Sequence, residues 1–389
     1  MKNFLYKQPR YFSTFKCIGG ECPETCCAEW EINWNEDNIA KLRESACSDV
    51  LKQKAENCFR IKDKNKYEII LNSDGSCPFL TEEKLCMIQK ELGEDMLSYV
   101  CRNYPRMTRQ VGNIFTRVCG ISCYAVVDTL CNDEHCVDLV MKEVKENSVN
   151  TGFFDKDTLK NKPELNYLNE IFDFLHEILS DKSRDIETSI VLCALAAKKI
   201  NDFAFTDKAD MIPEVIRKLR PQINNKAQID SINNMQSNYI FSLGVVNDIL
   251  KLVYQKDVMK ALYTDGKPDI DKYNIGMQKF NEAFNDKKYA LKNVIINYFM
   301  EFFSFKYEKD FSIYENYLYF AFTAAAVKLS AAIVGYACGP EDDIQKEFIR
   351  YQSVYARRLD SGVNVVPIVI GYLNEKKWTT PAYIALMVK

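Results

Sequence analysis

The chain has 389 residues with 47% hydrophobic content, enough apolar material for a large core and better suited to two domains than one. Its formal charge of −3 argues against a nucleic-acid binder, which would carry a basic excess. The opening MKNFLYKQPRYFSTFK has no long apolar run and no small-residue cleavage site, so no secretory leader is expected and the predicted compartment is the reducing cytoplasm.

Thirteen of the 15 cysteines fall between Cys17 and Cys136. In a reducing compartment thiols persist, so metal ligation or redox chemistry is their expected use. In chain order the first group is Cys17, Cys22, Cys26 and Cys27, spaced C-x4-C-x3-C-C in CIGGECPETCC. Gly19 and Gly20 let the backbone turn back and Pro23 stiffens the bend, so several sulfurs can converge on one point. Asn35 predicts the N-cap of a helix running to about Phe59, with Glu36 and Asp37 favourable in its first turn. Tyr67 to Leu71 predicts a strand, followed by an Asn-Ser-Asp-Gly-Ser turn. Cys77-Pro78-Phe79-Leu80 and Leu85-Cys86-Met87-Ile88 flank a Thr-Glu-Glu-Lys turn. Gln89 to Tyr99 predicts a helix that ends near Cys101 because Pro105 follows. Residues 107–118 predict a small hairpin around Gly112-Asn113, with Cys119 and Cys123 beyond it.

Iron–sulfur clusters and structural zinc both favour thiolates. The irregular spacings, the surplus of cysteines and a total of two histidines, His135 and His176, favour an iron–sulfur centre; zinc, usually marked by paired C-x2-C motifs, is the alternative. Four ligands suffice for one cluster, and Cys47, Cys58, Cys131 and Cys136, at helix-compatible positions, are expected to be structural. Arg102, Arg106, Arg109 and Arg117 gather in the same region. They would offset thiolate charge or, at Arg102 or Arg106, anchor a carboxylate; a plain solvated face is the other reading.

Composition changes near residue 145, which predicts a cysteine-rich α+β portion with short strands at 1–145 and an all-α portion at 146–389, a mainly α protein overall. The polar stretch at 145–164, closed by Pro163, is the expected linker. Stripes of apolar residues from Leu165 to Leu179, Ile186 to Ala197, Ile240 to Tyr254, Tyr289 to Phe305, Tyr314 to Tyr336 and Ile344 to Ala356 predict seven or eight helices. The most apolar run, Tyr317 to Cys338, contains Lys328 and is expected to be a core helix, without membrane contact. Cys193 and Cys338 read as inert core thiols. No glycine-rich dinucleotide loop and no C-x3-C-x2-C triplet occurs, so residue spacing does not locate a methyl-donor site.

The order C-x4-C-x3-C-C, Cys77-Pro78-Phe79-Leu80, Cys86-Met87-Ile88 and Cys101-Arg102-Asn103-Tyr104-Pro105 resembles the CxxCxxCC zinc- or iron-chelating domain family. With Gln8-Pro9-Arg10-Tyr11 and Glu315-Asn316-Tyr317-Leu318, the chain is similar to bacterial flagellin lysine-N-methylases. That resemblance implies methyl transfer from S-adenosylmethionine to lysines of flagellin, with a cluster, expected as 4Fe-4S, held by the cysteine motif. The expected ligands are drawn from Cys17, Cys22, Cys26, Cys27, Cys77, Cys86, Cys101 and Cys119, with Arg102 and Arg106 toward the cofactor and Glu315 and Tyr317 toward the acceptor lysine. A second reading is a non-enzymatic zinc- or iron-binding protein whose helical part binds other proteins.

Overall fold

The structure, a computed structural model, describes residues 2–28, 32–64, 66–111, 114–146, 156–204, 208–254, 258–360 and 364–389. Among these residues it is mainly α, with 17 α-helices and short strands concentrated toward the N-terminus. The tip of the expected hairpin, 112–113, and residues 147–155 of the expected linker lie outside the described residues.

A four-stranded sheet runs in the order Arg106–Val111, Ile114–Cys119, Lys2–Pro9, Leu139–Glu146. The first two strands are the expected antiparallel hairpin. The Lys2–Pro9 strand inserts beside it, parallel to Ile114–Cys119 and antiparallel to Leu139–Glu146. These two partners of the hairpin were not legible, because their side chains do not alternate cleanly and their pairing is long-range.

Residues between the two halves of that sheet form a small lobe with its own core of Ile32, Trp34, Ile39, Leu42, Leu51, Ala55, Ile69, Cys77, Phe79, Ile88 and Leu97. Asn35 caps a helix there as predicted, accepting Asn38 N–H at 2.8 Å, but that helix is Glu36–Glu44 and a second follows at Asp49–Asn57. Ser45 is extended, and Ser48 accepts Leu51 N–H at 3.2 Å, so a side chain that competes for backbone donors restarts the helix. The run expected as one helix after Cys86 is likewise two pieces, Met87–Leu92 and Tyr99–Asn103, parted at Gly93 with φ of 85°.

The larger core joins the four-stranded sheet, through Tyr11, Val118 and Ile121, and helix Tyr124–Asn132 to the helical region. One core thus runs from the sheet into the helices. Twelve helices lie beyond residue 155 among the described residues, the extra ones being short pieces such as Ile212–Leu219, Lys226–Asn233 and Pro381–Val388. Their centre is Ile313–Ala337, the expected apolar helix, buried along nearly its whole length. Lys328 within it pairs with Glu187 at 2.8 Å and donates to Val388 O at 3.0 Å, which allows a cation in that helix without exposing it.

Candidate active site and cysteine centres

The two regions meet around a cavity of about 680 Å³, a size suited to a small-molecule ligand. The cysteine side contributes Glu24, Thr25, Cys26, Tyr99, Tyr104, Pro105 and Arg106; the turn Gly120–Ser122 forms the floor; helix Ile344–Asp360 contributes Arg350, Arg357 and Arg358. Glu301 completes the wall.

Glu301 is 2% exposed and ends helix Ala290–Glu301, where the chain widens into a π-helical stretch at Phe302–Lys306. Its carboxylate accepts Ile121 N–H at 3.1 Å and pairs with Lys306 at 2.9 Å. These partners satisfy a buried charge that would otherwise be prohibitive. Nearby, Tyr11 from the Gln8–Tyr11 motif donates to Asn297 Oδ1 at 2.7 Å and accepts Cys119 N–H at 3.0 Å, locking the sheet to the same helix. Arg106 donates to Phe15 O at 3.0 Å and lies over the Phe15 ring at 5.0 Å, fixing its approach to the cavity.

Arg357 is the main fastener of the cavity wall. Its Nε donates to Ser122 O, Nη1 to Thr25 O and Nη2 to Glu24 O, each at 3.0 Å. Arg350 adds an ion pair to Glu24 at 2.6 Å. Tyr104 donates to Ser122 Oγ at 3.2 Å, and burial raises its pKa, so it remains a neutral phenol.

The cysteines expected to bind metal are folded into two neighbourhoods. Cys27, Cys77, Cys86 and Cys101 come together at the edge of the small lobe. Cys77 N–H donates to Cys27 O at 2.8 Å, a bridge joins Leu80 to Cys86, and Met87 N–H returns to Phe79 O at 2.8 Å. Cys101 sits in the first turn of a helix capped by Ser98, which accepts its N–H at 3.1 Å. Burial raises the Cys77 thiol to about 12 and Cys101 to about 11, and the charges of Cys27 and Cys86 add to both. Cys86 is raised by burial and again by Cys27. Cys26 donates its S–H toward Cys27, which lowers Cys27 to about 7 and keeps Cys26 protonated. Cys77, Cys86 and Cys101 would thus give up their protons on binding a metal, whereas Cys27 is the most acidic of the four.

The donor set fits a thiolate-held metal centre. A closed zinc shell draws its sulfurs to about 3.8 Å of one another, from Zn–S bonds of about 2.3 Å in a tetrahedron. Among the described residues no three His, Cys, Asp or Glu side chains stand at ion-holding range of one another.

Cys17, Cys22 and Cys26 lie in the other neighbourhood, beside Cys123, which precedes helix Tyr124–Asn132. Cys22 Sγ donates to Glu24 O at 3.1 Å, and Cys17 Sγ accepts Gly19 N–H at 3.4 Å. Cys119 is fully buried at its strand end, where burial holds its thiol protonated and Arg106, Cys123 and Glu301 are its charged neighbours. Cys47 and Cys58 pack on the small core, and Cys131, Cys136, Cys193 and Cys338 belong to the large one.

The other predicted residues separate. Arg106 lines the cavity, whereas Arg102 turns away to pair with Asp95 at 3.4 Å and to donate to Glu94 O at 3.1 Å. Glu315 does not line the cavity: it forms a capping box with Ser312, receiving Ser312 N–H at 2.9 Å. Tyr317 is fully buried and donates to Ile190 O at 2.7 Å. Their sequence motif marks the start of the central helix. Cys123 and Tyr104 stand within the cysteine series and the Cys101–Pro105 motif without an expected role, and Glu301 and Arg357 fall outside every motif; for Glu301 the available signal is a lone acid within the apolar run Tyr298–Phe303.

Residues 172–387 match the family model described as the FliB lysine N-methylase C-terminal domain. A lysine-N-methylase of Salmonella typhimurium and one of Salmonella choleraesuis are each 29% identical to this chain over 155 residues, 39% of this chain and 39% of the relative. The match thus spans about two fifths of the length of those relatives. The flagellar biosynthetic protein FliU of Salmonella muenchen is 30% identical over 146 residues, 37% of this chain and 86% of that protein. No solved structure matches the chain.

Proposed function

We propose that this chain, which belongs to the FliB lysine N-methylase family, is an S-adenosylmethionine-dependent protein-lysine N-methyltransferase of the cytoplasm that acts on flagellin. The observation that carries this reading is the cavity between the cysteine-rich and helical regions, which offers a buried carboxylate, cationic anchors and tyrosine rings in one place. Relatives bearing the name lysine-N-methylase support the reaction class, and the FliU name supports a flagellar substrate.

Methyl transfer forms a bond from lysine Nζ to the donor's methyl carbon and breaks the sulfonium S–C bond, leaving the electron pair on sulfur. The reacting amine must be neutral, and exclusion from water lowers the cost of losing its proton. Glu301 is assigned to orient the acceptor Nζ and to receive its proton. Arg106 is assigned to the donor's carboxylate, for which a guanidinium offers paired N–H donors. Tyr99 and Tyr104 supply ring faces for the donor's adenine or the lysine's aliphatic stem. Cys27, Cys77, Cys86 and Cys101 are assigned to an iron–sulfur cluster, which when bound supplies one-electron chemistry or a rigid tie for the lobe.

The test is transfer of labelled methyl groups from S-adenosylmethionine to purified flagellin by anaerobically prepared protein. Glu301→Gln is expected to lower turnover by about 100-fold or more, the usual range for losing an acid–base group, with donor binding retained. Arg106→Gln is expected to weaken donor binding first. Absence of transfer from metal-replete protein, with flagellin still bound, would favour the second reading of a metal-bearing interaction module.

A further inference from the structure

We propose that Arg350 and Arg358 select the acceptor, taking a lysine that lies in an extended acidic segment with a carboxylate two residues to either side. This selection rests on the assignment of the cavity to lysine methylation, and peptide binding measured apart from methyl transfer separates the two.

The cavity wall is electrically one-sided. Among the described residues it carries four arginines, Arg106, Arg350, Arg357 and Arg358, against the carboxylates of Glu24 and Glu301. Both carboxylates already have cations beside them: Glu24 meets Arg350 at 2.6 Å and Arg357 at 4.0 Å, and Glu301 meets Lys306 at 2.9 Å. Arg350 has a longer contact to Glu347, at 3.7 Å, yet its side chain stays 56% exposed, and Arg358 is exposed as well. A protonated lysine and a sulfonium donor are both cations. Such a wall repels them unless the acceptor brings anions of its own.

The spacing of these groups sets the pattern the acceptor must carry. Arg350, Val354 and Arg358 all line the cavity and follow one another at intervals of four in helix Ile344–Asp360, on one ridge of successive turns. At about 1.5 Å per residue the two arginines lie about 12 Å apart along the axis. In an extended chain, residues two apart share a face, and a span of four residues covers about 13 Å. A lysine with one acidic residue two positions before it and another two positions after it therefore matches the ridge. The carboxylates meet the guanidinium groups of Arg350 and Arg358, whose paired N–H donors suit them, while the lysine's aliphatic stem passes Val354 on its way to Glu301. Arg357, on the same helix, is occupied by the carbonyls of Glu24, Thr25 and Ser122 and fixes the wall along which the segment lies.

The experiment uses the full chain, purified anaerobically, and four synthetic peptides with a single lysine. Their second neighbours before and after the lysine are Glu and Glu, Gln and Gln, Glu and Arg, or Arg and Glu. Affinity is read by fluorescence anisotropy, and transfer from labelled S-adenosylmethionine as KM and kcat, for wild type, Arg358→Gln and Arg358→Glu, each beside its melting curve. Wild type is expected to bind the Glu–Glu peptide about 5-fold more tightly than the Gln–Gln peptide, the upper range for an exposed ion pair. The preference should appear in KM with kcat unchanged, and should shrink as salt rises from about 50 to 300 mM. Arg358→Gln should weaken the preference. Arg358→Glu should make one of the two mixed peptides the best ligand, a gain that loss of folding does not produce and that fixes the direction of the bound segment. Equal or absent binding of all four peptides by wild type would overturn the proposal, as would a ranking left unchanged by both variants. Methyl transfer indifferent to the flanking charges would keep the lysine reaction and remove the selection. Charge-dependent binding without transfer would keep the selection and remove the reaction from this cavity.

Discussion

Glu301, Glu315 and Tyr317 show how differently similar side chains are used. Glu301 stands in an apolar run, and its burial is sustained by Lys306 and Ile121 N–H. Glu315 is held instead by Ser312, and Tyr317 by a backbone carbonyl in the core. Glu315→Ala is therefore expected to cost about 1 kcal/mol through loss of the cap, and Tyr317→Phe about 1 kcal/mol through loss of one hydrogen bond. Both should appear as lower melting temperature with turnover preserved below the transition. Turnover lost at unchanged melting would restore either residue to the reaction.

His176 gives a pH dependence at the same scale. Burial, with Lys7 adding to it, lowers its pKa to about 4, and it packs on Phe172 in a stacked geometry. The unfolded chain takes up a proton below its ordinary pKa of about 6.5, while the folded chain resists until near 4. Stability from this residue is thus complete above pH 6.5 and is lost as pH falls toward 4, by about 3 kcal/mol. Urea midpoints between pH 7.5 and 4.5 measure the slope, and His176→Leu should flatten it relative to wild type.

Among the elements, the central helix Ile313–Ala337 sets the arrangement of its neighbours. It crosses helix Ile270–Ala283 so closely that a Cβ on Gly335 would lie 2.0 Å from Gly276 O, and one on Gly276 would lie 2.0 Å from Ala332 O. Alanine improves helix propensity by about 1 kcal/mol over glycine, but forcing two backbones apart costs about 1–3 kcal/mol. The opposing terms are comparable only at the low end of that range, and clashes with backbone atoms place this contact at the high end. Gly335→Ala is expected to lower the melting temperature, and a rise would show that the helices can separate freely. By contrast, the interruptions at Ser45–Ser48 and Gly93 are local: a capping serine and a positive φ each end a helix whose apolar spacing alone would continue it.

At the scale of the molecule, Arg357 couples the small lobe to the helical region through three carbonyls. Hydrogen bonds from a charged donor are the stronger kind, and partial exposure of this guanidinium moderates them. Arg357→Ala is expected to cost about 2 kcal/mol and to reduce methyl transfer; Arg357→Lys should restore charge but not the three-point contact, and so recover little. Full activity in Arg357→Ala, assayed beside its melting curve, would show that the cavity wall holds without this fastener.

The sequence by itself determined the mainly α class, the cysteine-rich beginning, the cap at Asn35, the hairpin after Arg106 and the burial of the Ile313–Ala337 helix. Each of these follows from local terms: apolar periodicity, capping side chains, and residue types whose chemistry does not depend on distant partners. The tertiary structure decided what those terms could not. It paired the Lys2–Pro9 strand with segments more than 100 residues away, and it brought Glu301 and Arg357 to a cavity they share with Tyr104 and Cys26. It also sorted the clustered thiols into two neighbourhoods, Cys27 with Cys77, Cys86 and Cys101 on the small lobe and Cys17, Cys22 and Cys26 toward Cys123. Spacing along a chain limits which sulfurs can meet, but which of them do meet depends on long-range packing, because the segments carrying them are joined by hydrogen bonds between residues far apart in sequence.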